Sequence, residues 1–136
     1  MLEKLEKIYT FGALGGQPFQ DQQIREIGLS AGDWIDALYL NGHRYGGHHG
    51  RDTPRLVLES DEFIDSIDIR YGSRIDYLRF STNKGRWIEG GGNGGTAHPP
   101  FRDIRLLGIA GRSAVYLDRI ELRMLIDSTI HPKPSF

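Results

Sequence analysis

The sequence has no cysteine, which removes a disulfide framework and every thiolate metal site from consideration. It also lacks a dominant charge. The 17 Lys and Arg residues nearly balance the 18 Asp and Glu residues, for a formal net charge of −1, and both signs are interspersed. No long-range field of one sign exists to hold a polyanion or an anionic bilayer, so neither nucleic acid nor membrane insertion is expected. No apolar run approaches the length of a membrane span. The opening "MLEKLEKIYTF" alternates charges where a secretory leader would be apolar, which predicts a chain that is cytoplasmic or exported by a non-classical route. Helical periodicity is scarce, and only "MLEKLEK" admits a short helical turn, with Glu3 and Lys7 paired. What remains is 136 residues with 38% hydrophobic content, enough chain for one domain with a real core.

That core is written as a repeat. Apolar residues at Ile24, Ile27 and Leu29 precede Gly32, and Ile35-Asp36, Leu38 and Leu40 follow it. The same offsets recur without a gap as Ile64, Ile67, Ile69, Gly72, Ile75-Asp76, Leu78 and Phe80. A third pass gives Ile104, Leu107, Ile109 and Gly111 and, after two extra residues, Leu117-Asp118, Ile120 and Leu122. Each unit holds two period-two runs joined at a glycine, the pattern of two antiparallel strands and a tight turn.

The first two units then enter glycine clusters, "HRYGGHHG" at 43–50 and "IEGGGNGG" at 88–95. The third unit has none, but one stands at the other terminus in "FGALGGQPF", with Gly12, Gly15 and Gly16. Joining residues 104–125 to residues 8–23 nearly completes a third repeat. The ring is therefore circularly permuted, and the two chain ends should be neighbours. Three sheets of about four strands make a three-sided prism, whereas a propeller needs at least ~4 blades. The expectation is an all-β, three-sheet β-prism with a pseudo-threefold internal repeat over residues 8–125. Residues 1–7 form an N-terminal arm and residues 126–136 a C-terminal tail.

The "FGxxGGxPF" opening, three "GxxxD" segments, the glycine clusters and "FSTNKGR" at 80–86 together resemble the jacalin-related lectins, whose fold is the β-prism I. The resemblance spans roughly residues 9–125. It implies that each aspartate of a "GxxxD" loop holds one monosaccharide together with the last glycine of a cluster. A pyranose presents vicinal hydroxyls that donate and accept, which suits a carboxylate acceptor beside backbone N–H donors. The first site would use Asp33, Trp34, Asp36 and Gly50. The second would use Ser73, Arg74, Asp76 and Gly95, and the third Val115, Tyr116, Asp118 and Gly16. The implied partners are mannose-containing glycans or glycoproteins. Galactose preference in the family goes with a chain cut at the first cluster, and here eleven residues precede Gly12, so mannose or glucose is expected. The tails flanking the seam also suggest a homodimer that exchanges the N-terminal strand.

Two departures from the pattern order the sites. Ala114 stands where glycine is usual, which would strain the loop if that residue needs positive φ. Arg74 replaces an aromatic and would either meet a sugar or pair with Asp76 and occupy its carboxylate. The 32–36 site thus ranks first, the 111–118 site second and the 72–76 site last. If the substitutions disable the sites, the alternative is a β-prism serving as an interaction or structural module. No enzyme is expected, because glycosidic cleavage takes two carboxylates across the bond, and Asp33 and Asp36 would meet a sugar from one side. No cofactor is implied. His43, His48, His49 and Asp52 have no second ligand cluster to make a metal site. Trp87 and Phe101 read as packing residues.

Overall fold

The structure is a computed structural model, and residues 4–127 are described. Thirteen strands run in chain order and no helix occurs among the described residues: β1 (Lys4–Gly12), β2 (Gln17–Gln22), β3 (Glu26–Ala31), β4 (Ile35–Leu40), β5 (His43–Gly46), β6 (Arg51–Asp52), β7 (Leu56–Val57), β8 (Ile64–Tyr71), β9 (Ile75–Thr82), β10 (Trp87–Gly91), β11 (Thr96–Ala97), β12 (Arg105–Ser113) and β13 (Leu117–Asp127). They form three sheets, ordered β5-β4-β3-β6 with β7 also on β3, β10-β9-β8-β11, and β1-β13-β12-β2. The hairpins β3-β4, β8-β9 and β12-β13 are the three expected repeats. The sheets make the sides of a β-prism.

The third sheet closes the ring as the permuted pattern requires. β1 pairs antiparallel with β13 from Lys4↔Asp127 to Gly12↔Arg119, so both ends of the described chain share one ladder. Lys4 to Lys7, in the expected arm, pair with Asp127 to Met124. The helical turn expected in "MLEKLEK" is therefore replaced by strand from Lys4 onward, while Glu3 and the tail from position 128 lie outside the described residues. The reason is tertiary. Leu5 and Tyr9 pack against the core, Phe11 lies within it, and β13 offers a free edge, so sheet pairing outweighs a single favourable i,i+4 charge pair.

Inward positions recur at the repeat offsets. Ile27, Leu29, Leu38, Leu40, Ile67, Leu78, Phe80, Ile109, Ile120 and Leu122 are all fully buried where the three inner faces meet. Pro18 sits in β2, an edge strand, where its missing N–H costs no ladder bond. Phe101 joins the core beside Tyr9 and Phe11. Trp87 is half exposed and packs against the Arg79 guanidinium.

Candidate functional site

The second strand of each hairpin opens with a fully buried residue, Ile35, Ile75 or Leu117. Side chains alternate along a strand, so anchoring that residue in the core aims the next one, Asp36, Asp76 or Asp118, at the opposite face of the sheet. There a glycine cluster covers it. The strands β5, β10 and β1 end in Gly46, Gly91 and Gly12, with φ of 134°, 106° and 101°. A Cβ at any of these would lie 2.1 Å from the carbonyl oxygen of Asp36, Asp76 or Asp118, respectively. Only glycine permits both the dihedral and the approach. The following N–H groups of Gly47, Gly92 and Ala13 donate to those carbonyls at 2.9, 2.9 and 3.0 Å. Four residues beyond each bend, Gly50, Gly95 and Gly16 press against the carboxylates, where a Cβ would come within 2.6, 2.4 and 2.6 Å of Oδ2. The expected partnerships Asp36–Gly50, Asp76–Gly95 and Asp118–Gly16 are all brought together.

The turns before the aspartates are equally regular. Gly32 N–H donates to the Trp34 carbonyl, Gly72 N–H to that of Arg74 and Ala114 N–H to that of Tyr116, at 2.9–3.0 Å. Ala114 therefore takes the place of Gly32 and Gly72, and Gly111, which the offsets matched to them, lies further back within β12. Only Asn41 and Asp103 combine a side chain with positive φ among the described residues. Alanine fits this turn without strain.

Two arginines missed in the sequence hold the clusters in place. Arg70 donates to the carbonyls of Gly94 and Gly95 at 3.0 and 3.3 Å, and Arg112 donates to those of Gly15 and Gly16 at 3.1 and 3.0 Å. Both stand six residues before their aspartate, a spacing that could have identified them. The first repeat has Ser30 there instead, buried beneath Gly50.

The carboxylates are held at a cost. Asp36 and Asp118 are buried. Burial pushes the Asp36 carboxyl above the usual aspartate range, against the opposing pull of His49 and the Gly32 N–H. Burial likewise raises Asp118, opposed by the charges of Arg112 and Arg74. Oδ2 of Asp118 is buried with no hydrogen-bond partner among the described residues.

Neighbouring repeats interlock at this end. A Cβ at Gly92 would lie 2.6 Å from the Asp33 carbonyl, and one at Gly47 would lie 2.1 Å from the Val115 carbonyl. Asp33 and Trp34 line a cleft of about 480 Å³ with Ser73, Arg74, Asp76 and Gly95, so they border the second site as well as following their own turn. Arg74 does not pair with Asp76; its guanidinium stacks over Trp34 and Tyr116 at 4.3 and 4.8 Å. The ion pair that placed the 72–76 site last is absent among the described residues. In the His-rich loop, His48 contacts Arg44, His43 packs on Tyr45, and Asp52 accepts from the Tyr39 hydroxyl.

Three equivalent carboxylates, each backed by a glycine bend at one end of a three-sheet prism, are matched by the jacalin-like lectin domain, whose family model covers residues 8–122. The chain belongs to that family. Griffithsin from Griffithsia sp. (strain Q66D336) is 33% identical over 113 residues, covering 82% of this chain and 91% of griffithsin. Wild-type Malaysian banana lectin superimposes with a TM-score of 0.70 at 25% identity, covering 91% of this chain and 98% of that one. The mannose-binding lectin from champedak gives 0.67 at 25%, covering 90% and 96%. As a jacalin-like lectin the chain is a carbohydrate-binding protein and not an enzyme.

Proposed function

We infer that this lectin binds mannose- or glucose-type sugars through three sites centred on Asp36, Asp76 and Asp118. The observation that carries the reading is the threefold carboxylate and glycine arrangement. Vicinal sugar hydroxyls donate to the accessible part of each carboxylate while neighbouring backbone N–H groups donate to the sugar. Asp33, Trp34, Ser73, Arg74, Val115 and Tyr116 supply turn backbone and side-chain walls, and Gly16, Gly50 and Gly95 admit the ring without a Cβ in its way. The mannose-binding champedak lectin, alike in fold and coverage, supports mannose as the ligand.

The three sites share one end of the prism, so a branched oligomannose engages more than one at once and gains through effective concentration, by a factor of ~10² or more. A dimer made by exchange of β1 would keep all three sites, with β1 of one copy lying on β13 of the other. Calorimetry with methyl α-mannoside, methyl α-galactoside and a branched oligomannose tests the reading. It expects weak mannoside binding at up to three sites per chain, no galactoside response, and a large gain for the branched glycan. Galactoside binding without mannoside binding overturns the ligand class, and no saturable response to any sugar overturns the function. Light scattering reports the dimer.

A further inference from the structure

Trp34, Arg74 and Tyr116 hold the same place in the three repeats, two residues ahead of each aspartate, and in the fold they converge. The Trp34 and Tyr116 rings meet edge-on at 6.4 Å, and the Arg74 guanidinium lies over both. The guanidinium is thus held against two rings that stand at 72° to each other. Arg70 and Arg112 spend N–H groups on glycine carbonyls, but no hydrogen bond or ion pair takes up the edge of Arg74 among the described residues. A planar cation held against two rings, with its N–H donors unspent, is a fork suited to an anion with two acceptor oxygens. The same guanidinium borders the cleft that contains Asp76.

We propose that Arg74 makes this end of the lectin selective for mannose-type sugars carrying an anionic ester, with sugar hydroxyls on Asp76 and the ester oxygens, of phosphate or sulfate, on the edge of Arg74. The proposal rests on the sugar-binding reading above. Asp33 and Asp76 both line the cleft and repel an anion attached to the hydroxyls that Asp76 holds. The ester must therefore sit elsewhere on the ring, as in α-mannose 1-phosphate, where every ring hydroxyl stays free.

Calorimetric titration of the wild-type chain with methyl α-mannoside, α-mannose 1-phosphate, 2-sulfated methyl mannoside and inorganic phosphate tests this. At least one ester should bind about tenfold or more tightly than methyl mannoside, and inorganic phosphate should bind far more weakly than the ester. Which ester wins separates the 1-phosphate from the 2-sulfate. The preference should shrink as ionic strength rises, and the ester-to-mannoside ratio should fall toward one in Arg74→Gln and only partly in Arg74→Lys, whatever happens to absolute affinity. Equal affinity for ester and mannoside in the wild type overturns the proposal and leaves the sugar-binding reading standing. So does a preference that survives Arg74→Gln, or inorganic phosphate binding as tightly as the ester. Failure of every sugar to bind overturns the sugar-binding reading, and this proposal with it. Should Arg74→Gln not fold, the wild-type ratio and its salt dependence decide the matter.

Discussion

Replacing Asp118 by asparagine should stabilise the protein while disabling a site. The carboxylate is 7% exposed, Oδ2 has no partner among the described residues, and burial raises its pKa above the ordinary value of 3.8. Between the unfolded and the raised folded pKa the folded state binds more protons, so stability falls as pH rises through that window, and at neutral pH the full penalty stands. Asparagine keeps the shape and removes the charge. The amide still lacks a partner there, so what is relieved is the desolvation of the charge, about 1 kcal/mol at this rim position. For a chain of this size that is a rise in melting temperature of roughly 3–5 °C. Scanning calorimetry of both proteins at neutral pH and well below pH 4 checks it, because the gain should disappear where the wild-type carboxyl is already protonated. Mannoside titration should show affinity at that site falling roughly a hundredfold, the loss of a charge-assisted pair worth about 2–3 kcal/mol. A variant less stable than wild type at neutral pH, or a gain independent of pH, would refute the reasoning.

Gly92→Ala should disturb two repeats at once, since its Cβ would press on the Asp33 backbone; the Asp36 and Asp76 sites should both weaken in titration while the Asp118 site is spared. Sugar affinity should decline on acidification as Asp36 and Asp118 protonate, beginning at a higher pH than an ordinary aspartate would give because burial raises both; a pH series of mannoside titrations that stays flat until the ordinary aspartate range contradicts this.

Much of this was legible in the sequence because the repeat wrote each constraint three times. Ile35-Asp36, Ile75-Asp76 and Leu117-Asp118 announce a buried anchor followed by an outward carboxylate, and a glycine cluster for each aspartate announces its cover. Three features were not legible. The extension of the first strand back to Lys4 was hidden because Lys7 falls on the inward face between Leu5 and Tyr9, breaking the alternation that would have marked it. The place of Ala114 was obscured because offsets counted from Ile104 begin the third unit too early: β12 carries the same register shifts at Leu106/Gly108 and Arg112/Ser113 that β8 carries at Ile64/Ser66 and Arg70/Tyr71, so the third unit starts at Leu106 and Ala114 falls opposite Gly72. The contacts of Arg74 were hidden because its partners lie some forty residues away on either side, and only closure of the prism brings them to it.

That closure also orders assembly in time. Asp36 and Gly50, like Asp76 and Gly95, lie within about twenty residues of each other, but Gly16 and Asp118 are about a hundred apart. Because the entropy of joining two points grows with the logarithm of the intervening length, bringing the last pair together costs roughly 1.5–2 kcal/mol more than either of the others. During synthesis the first strand emerges without a partner and must wait until β13 has left the ribosome, so two sheets can complete their ladders before the third can begin. Contacts of such sequence separation slow folding, and the third carboxylate marks the chain's last commitment: when it is covered by Gly16, the ring has shut.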